Sequence, residues 1–208
     1  SFLATVISFS NEIANLCSKL KGVDVVDVMK GVHSDRRLSP ILDSGRITPG
    51  LMSFLYPGTG FGGSCFPKDV KALISFSEKS GAAMPVLRSV IDTNGKQPSV
   101  TVELVKEELG VLMNKRIAIL GLAFKPGTDD VRESPALQVI EELIQNGADI
   151  IAHDPIAIEN MEKVLKHPKL DYCHNLSETI NAADAIVLVT SWPDYKNLHS
   201  LLNGHKTP

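Results

Sequence analysis

A cysteine set between glycines and a proline, lysine and aspartate is where chemistry first shows in this chain. The string runs Gly60-Phe61-Gly62-Gly63-Ser64-Cys65-Phe66-Pro67-Lys68-Asp69. Glycines let the backbone take positive φ angles and approach a ligand closely, and Pro67 is suited to open a helix. Cys65 would then sit near a helix N-terminus beside Lys68, where the helix dipole and the ammonium group both favour a thiolate over a thiol. That makes Cys65 a credible nucleophile. Most single cysteines are inert core residues and many glycine runs are only turns, so spacing alone leaves both readings open.

A second group of polar residues lies between Gly121 and Ser134: Lys125, Asp129, Asp130, Arg132 and Glu133. A lysine and an arginine near a helix N-terminus, at the carboxyl end of a strand, form a reasonable anion site. The competing reading is that Lys125 and Arg132 simply neutralise the three acids. This connection is not a Gly-x-Gly-x-x-Gly turn, so the fingerprint for a dinucleotide pyrophosphate is absent. Asp154 ends the next strand, where a ribose-binding carboxylate would lie, but it reads better as a helix or turn cap before Pro155. Trp192-Pro193 reads as a loop anchor, and the six histidines show no metal-ligand spacing, so no metal is expected.

These residues need elements to hold them, and composition allows two small domains. The chain has 208 residues, 43% hydrophobic and 22% charged, as in ordinary soluble globular proteins. A net charge of −3 gives no basic excess for a nucleic-acid backbone, and no segment reads as a membrane span. Three cysteines, an odd number without metal spacing, fit a reducing cytoplasm. The apolar opening Ser1 to Ser10 has no basic flank and runs into Asn11-Glu12, so it reads as a helix cut at its start and the chain as a fragment.

Apolar residues at three-to-four spacing predict a helix from Phe2 to Lys21 or Gly22 and a short one from Asp24 to Lys30. Residues 32–64 read as mostly loop. Helix resumes at Pro67 or Lys68 and stops at Gly81, and a further helical pattern covers Met84 to Leu109 with Asn94-Gly95 and Pro98 as kink or break points. The connection between domains falls there, giving a helical domain at 1–96 and a second domain at 97–208. In the second, a strand from Ile117, a helix capped by Ser134-Pro135 and a strand at Ile150-Ile151 make a βαβ unit. A helix at Ile158 to Leu165, a short segment Leu170 to Cys173 and the run Ala185 to Thr190 continue a parallel sheet, whose last strand is expected beyond Pro208.

The string Gly60 to Asp69 is similar to the active-site signature of the UDP-glucose and GDP-mannose dehydrogenase family. Phe2-Leu3-Ala4 with Asn11-Glu12 resembles that family's central helix, and Gly121 to Lys125 followed by Thr128 to Pro135 resembles its UDP-sugar-binding domain. The resemblance covers essentially the whole chain. It implies an α/β protein: an all-helical central dimerisation domain followed by a Rossmann-like parallel α/β nucleotide-binding domain.

The activity so implied is NAD-dependent four-electron oxidation of UDP-glucose to UDP-glucuronate, through a thiohemiacetal and then a thioester on Cys65. Phe66-Pro67 leans toward the UDP-glucose branch; GDP-mannose or another nucleotide sugar, or a non-catalytic nucleotide-binding and dimerisation module, are the alternatives. By the same resemblance Cys65, Lys68 and Asp69 are catalytic. Arg46, Phe54, Leu55, Tyr56, Pro57, Gly58, Thr59, Gly60, Phe61, Gly62, Phe124 and Lys125 bind the nucleotide sugar, and Cys65, Phe66, Pro67, Lys68 and Arg132 approach NAD. A homodimer through the central helices is expected.

The pattern departs in one place. The family's Asp-x-Arg-Ile segment, whose arginine reaches the neighbouring subunit's substrate site, is matched in type by Asp35-Arg36-Arg37-Leu38, which lies far upstream of Cys65, or more loosely by Asp43 with Arg46-Ile47; Arg46 is preferred. The family's catalytic Lys and Asn, its NAD fingerprint and a catalytic Glu precede the segment that begins at Ser1. The fragment alone is therefore expected not to turn over.

Overall fold

The apolar face of the first stretch folds into α1 (Phe2–Cys17) in the computed structural model, which describes residues 1–202. The helix stops about one turn before Lys21, because the Ser18 hydroxyl turns back to the Asn15 carbonyl and the chain then reverses through Gly22 at φ +75°. Asp24 caps α2 (Val25–His33) by accepting the Val26 N–H at 2.8 Å. Val6 and Ile13 of α1 pack with Val25 and Val32 around Met29, Met52 and Leu55, the core of this part.

Residues 32–64 are more ordered than their glycines suggest. A two-residue hairpin pairs β1 (Ile41–Leu42) with β2 (Gly45–Arg46), and a single 3-10 turn covers Gly50–Phe54. After the signature loop comes α3 (Phe66–Lys79), then α4 (Pro85–Leu109). Of the kink or break expected at Asn94-Gly95 and Pro98, a break does not occur: α4 runs through Pro98. Proline removes one rung of the helix ladder. Side-chain bonds brace the helix immediately on either side, from Gln97 to Asn15 in both directions (3.1 and 3.3 Å) and from Ser99 to Glu142 at 2.8 Å.

The chain forms two compact units, one of Ser1–Gly60 with Lys68–Gln97, the other of Phe61–Pro67 with Pro98–Pro208. In the second unit β3 (Arg116–Leu120), α5 (Pro135–Gln145), β4 (Asp149–His153), α6 (Ile158–Val164), β5 (Leu170–Tyr172), α7 (Leu176–Asn181) and β6 (Ala185–Leu188) alternate, before a short α8 (Leu198–Leu201). Every pair in the sheet is parallel, in the order β5-β4-β3-β6. Ile117, Ala118, Ile119 and Leu120 are fully buried, as strands covered on both faces must be, and each large one contributes about 1.5–3 kcal/mol of transfer free energy. Ser134 caps α5 from its side chain with Pro135 at the first helical position, as the sequence predicts. The strand expected beyond Pro208 lies outside the described residues.

At the carboxyl end of β4 the His153 ring is buried, with Nδ1 2.8 Å from the Tyr195 hydroxyl, which itself donates to the His153 carbonyl at 3.1 Å. Burial lowers the pKa of His153; Asp154 and Asp194 oppose that shift and His174 faces the ring with both signs of effect. A base whose folded pKa is depressed binds fewer protons folded than unfolded. Its contribution is therefore complete above the ordinary imidazole range near pH 6.5 and is lost as pH falls through the folded value. Melting temperature should drop between pH 8 and 5 by more in the native protein than in His153→Gln. Equal slopes in the two proteins would remove His153 from the account.

Candidate active site

In the second unit the signature loop lies against the connection between β3 and α5. Phe61, Gly62 and Gly63 are buried, whereas Cys65 is exposed. The Gly63 N–H donates to the Arg132 carbonyl at 2.9 Å. A Cβ on Gly62 would stand 2.0 Å from the Glu133 carbonyl oxygen, and one on Gly63, at φ +86°, 2.7 Å from the Phe124 ring. These two glycines are thus demanded by contact with the chain's own residues 124 and 133. The Phe61 and Phe66 rings meet edge-on at 5.9 Å, which brackets the loop on either side of Cys65. The Cys65 sulfur has the Ser64 hydroxyl 3.8 Å away, and α3 begins at the very next residue.

Facing this loop is Arg132, held in a chelate. Its Nε lies 2.9 and 3.1 Å from the two Asp130 oxygens, its Nη2 2.7 Å from one of them, and its own backbone N–H also donates to Asp130 at 3.0 Å. The pairing lowers the Asp130 pKa and raises that of Arg132, to which Cys65 adds a smaller electrostatic effect. Neutralisation of an acid by Arg132, one of the two readings of the sequence, is therefore real for Asp130. Asp129 instead accepts from Asn160 at 2.9 Å, and Lys125 is exposed with its ammonium 5.5 Å from the Phe124 ring centre.

The carboxyl ends of β3 and β6 mark the point where strand order reverses, the usual seat of a dinucleotide in such sheets. Here it is filled. One Asp154 oxygen accepts the N–H groups of Leu122 (2.7 Å) and Ala123 (3.1 Å) and the Trp192 indole (3.0 Å), and the other accepts from Ile156 and Ala157. Gly121, at φ +91°, is pressed against Thr190, whose hydroxyl donates to the Ala123 carbonyl at 2.6 Å. The amides that would cradle a pyrophosphate are taken by a buried carboxylate, so this sheet does not fit NAD. Asp154 is the turn cap the sequence suggests, and it also ties three distant N–H groups to that turn; Trp192 is an anchor through the same atom.

The first unit holds the remaining candidates. Leu55 is buried, Phe54, Pro57, Thr59 and Gly60 are half-buried, and Tyr56 and Gly58 are exposed. Two residues that the motif alone did not single out fix this segment. His33 donates from Nε2 to the Leu55 carbonyl at 3.0 Å and meets the Tyr56 ring edge-on at 4.6 Å. Asn11, wholly buried on α1, accepts the Gly58 N–H at 2.8 Å, while its Nδ2 has no hydrogen-bond partner among the described residues. A buried amide donor left open beside a glycine-rich segment is costly unless a ligand fills it. His33 is visible in the sequence only as an ordinary helix position, and Asn11 only as part of the resemblance to the family's central helix, with no role assigned to its side chain.

Arg46, preferred from the sequence, is exposed and donates to the Ser34 and Ser39 carbonyls at 3.1 and 3.2 Å. Arg37 has a side chain 89% exposed and chelated by Asp35, whose carboxyl is pushed down to about 2 by that pairing. Lys68 and Asp69 are both exposed, 3.4 Å apart. Among the described residues no cluster of His, Cys, Asp or Glu could hold a metal ion, and no helix is long and apolar enough to cross a membrane.

Comparison with known proteins bears on both units. Residues 1–96 match the family model described as the UDP-glucose/GDP-mannose dehydrogenase family, central domain, and residues 118–207 match the UDP binding domain of the same family. A UDP-glucose 6-dehydrogenase of Rickettsia felis is 41% identical over 96% of this chain and 42% of its own length; one of Pseudomonas aeruginosa is 42% identical over 100% and 45%. A solved structure of a UDP-glucose dehydrogenase from the archaeon Pyrobaculum islandicum aligns with TM-score 0.81 at 38% identity, over 93% of this chain and 42% of that one. The chain thus spans a little under half the length of the curated relatives it matches. Two domains of one family, matched in order and with the cysteine signature loop in place, show that this chain belongs to the UDP-glucose/GDP-mannose dehydrogenase family.

Proposed function

We propose that the chain carries the nucleophile and part of the nucleotide-sugar site of an NAD-dependent enzyme that oxidises UDP-glucose to UDP-glucuronate. The observation that carries this reading is the exposed thiol of Cys65 on a loop docked against Arg132. The relatives named UDP-glucose 6-dehydrogenase, together with Phe66-Pro67 beside the thiol, favour UDP-glucose among nucleotide sugars.

NAD, when bound, supplies the hydride acceptor for both oxidations; Cys65, Phe66, Pro67, Lys68 and Arg132 are the groups of this chain assigned to approach it, the sheet being closed to it by Asp154. The Cys65 thiolate adds to the aldehyde carbon left by the first oxidation, a C–S bond forms and the carbonyl pair moves onto oxygen. Oxidation of that adduct leaves a thioester. Water, positioned by Asp69, adds to the acyl carbon, the C–S bond breaks and the thiolate returns. Lys68 positions the reacting groups. Phe124, Lys125 and the residues from Phe54 to Gly62 are assigned to the nucleotide sugar by the family resemblance, and the open Asn11 amide is a further donor in the first unit. A free thiol in this role suits a reducing cytoplasm.

Ligand preference tests the assignment. Calorimetry on the chain should show UDP or UDP-glucose binding in preference to NAD. NAD binding as tight as UDP would sink the reading, since the carboxylate of Asp154 would then not be closing the sheet.

We also assign a two-fold dimer to the helical unit. Phe2, Phe9 and Leu16, seven residues apart along α1, are 67%, 45% and 58% exposed, an apolar seam of the kind that seats a second helix. Arg37, pre-set by Asp35 and bonded in its clasp to that residue alone, suits a reach to a partner's site better than Arg46, whose guanidinium is tied to the Ser34 and Ser39 carbonyls. A monomer by light scattering at micromolar concentration would contradict the dimer.

A further inference from the structure

Arg132 is pinned at two points. Its carbonyl accepts from Gly63 of the signature loop, and its guanidinium is chelated by Asp130 through Nε and Nη2. Chelation leaves Nη1 as the nitrogen with no bond to the carboxylate. Asp130 is the better anchored of the two. Its side chain is 19% exposed against 69% for that of Arg132, and its backbone carbonyl accepts the Phe124 N–H at 3.1 Å. The carboxylate is therefore the fixed partner and the arginine the one being held. A planar fork gripped on one edge keeps its orientation far better than a free side chain on rotatable bonds.

The same grip occurs a second time in the chain. Asp35 takes the Arg37 backbone N–H, Nε and Nη2 with the same pattern of four bonds. Such a clasp is built from groups two residues apart, so it forms locally and its loss leaves the rest of the fold in place. Only the clasp at Asp130 is bonded to the loop that carries Cys65.

We propose that Asp130 is a positioning residue: by chelating Arg132 it holds the remaining positive edge of the guanidinium beside Cys65, where it draws in an anionic group of the bound ligand. The proposal rests on the reading of Cys65 as the reactive thiol. It makes Asp130 act through Arg132, not as a charge in its own right. These two roles give opposite signs. As a bare negative charge, Asp130 would repel anions from Cys65, and its removal would help them approach. As a positioning residue, its removal lets Arg132 swing into solvent and makes Cys65 less attractive to anions.

Alkylation of Cys65 by iodoacetate and by iodoacetamide reads this directly, in the protein without cofactor. In both reactions the thiolate displaces iodide from carbon, so the ratio of the two rates cancels the thiolate fraction and leaves the effect of the reagent's charge. Rates are followed at low ionic strength, where surface fields are least screened, on the peptide containing Cys65, so that Cys17 and Cys173 do not contribute. Arg132→Gln should lower the iodoacetate-to-iodoacetamide ratio about threefold, the effect of one charge several ångströms away in water. Asp130→Asn should lower it in the same direction, the double variant should fall no further than Arg132→Gln, and Arg132→Lys, which keeps the charge but cannot chelate, should behave like Asp130→Asn. A ratio that rises or is unchanged in Asp130→Asn overturns the proposal, as does an unchanged ratio in Arg132→Lys. Failure of the nucleophile assignment would show separately, as turnover retained in Cys65→Ser.

Discussion

Replacing Cys65 by serine in the complete enzyme should abolish net formation of the uronic acid, by roughly a thousandfold or more, while leaving nucleotide-sugar binding nearly intact. The second oxidation needs an adduct that gives up hydride and then an acyl group that water cleaves. A serine alkoxide is much harder to form near neutral pH, and its ester is hydrolysed less readily than a thioester. The structure removes the usual objection that such a variant fails for want of packing. Cys65 is exposed and its sulfur has the Ser64 hydroxyl 3.8 Å away, so a hydroxyl fits where the thiol was. Affinity for the nucleotide sugar should change by less than roughly tenfold, about 1.4 kcal/mol. Steady-state kinetics and equilibrium binding on the variant decide it. Near-normal turnover would remove Cys65 as nucleophile, and lost binding with unchanged turnover would make it a structural residue of the loop.

Gly62→Ala should damage the enzyme almost as much, by a different route. The new methyl carbon would fall 2.0 Å from the Glu133 carbonyl oxygen and 2.7 Å from its carbon, and both are backbone atoms that no side-chain rotation can clear. The loop must lift, and the bond from the Gly63 N–H to the Arg132 carbonyl goes with it. Overpacking of this kind costs about 1–3 kcal/mol in stability. A displacement of an ångström at a reacting atom costs about a hundredfold in rate. Gly31→Ala is the control, since a Cβ there meets nothing within 4 Å; it should leave turnover unchanged and raise the melting temperature slightly, alanine being favoured over glycine inside a helix. Turnover within a few-fold of normal in Gly62→Ala would mean that docking of the loop on residues 124–133 does not set the position of Cys65.

The glycines also show what the sequence could and could not say. That Gly62 and Gly63 sit where a side chain would interfere is readable from the motif; that the interference comes from Phe124 and Glu133, roughly sixty residues or more away along the chain, is not, because nothing local encodes that contact. Asp154 follows the same logic. Its cap on Ile156 and Ala157 is a short-range bond and visible as Asp-Pro, whereas its bonds to Leu122, Ala123 and Trp192 depend on how β3, β4 and the segment after β6 converge. The parallel sheet is legible because its strands are continuous apolar runs with turn signals between them. Pro98 does not end the helix because a helix-breaking preference is local and is overridden by bonds from Gln97 and Ser99 to other helices. The hairpin at Ile41–Arg46 has strands two residues long, too short for any periodicity to register. Spacing from Cys65 favours Arg46 over Arg37, whereas the partners each guanidinium takes, two backbone carbonyls for Arg46 and Asp35 for Arg37, are not encoded in spacing.

Mass analysis of Cys65 during turnover tests the central claim most directly. The complete enzyme is incubated with NAD and UDP-glucose, quenched in acid within the first turnovers and digested, and the peptide containing Cys65 is weighed. A uronyl adduct on Cys65, absent without NAD and absent in Cys65→Ser, is the predicted result. Steady NADH release with the Cys65 peptide unmodified at every quench time, and turnover undiminished in Cys65→Ser, would contradict the account.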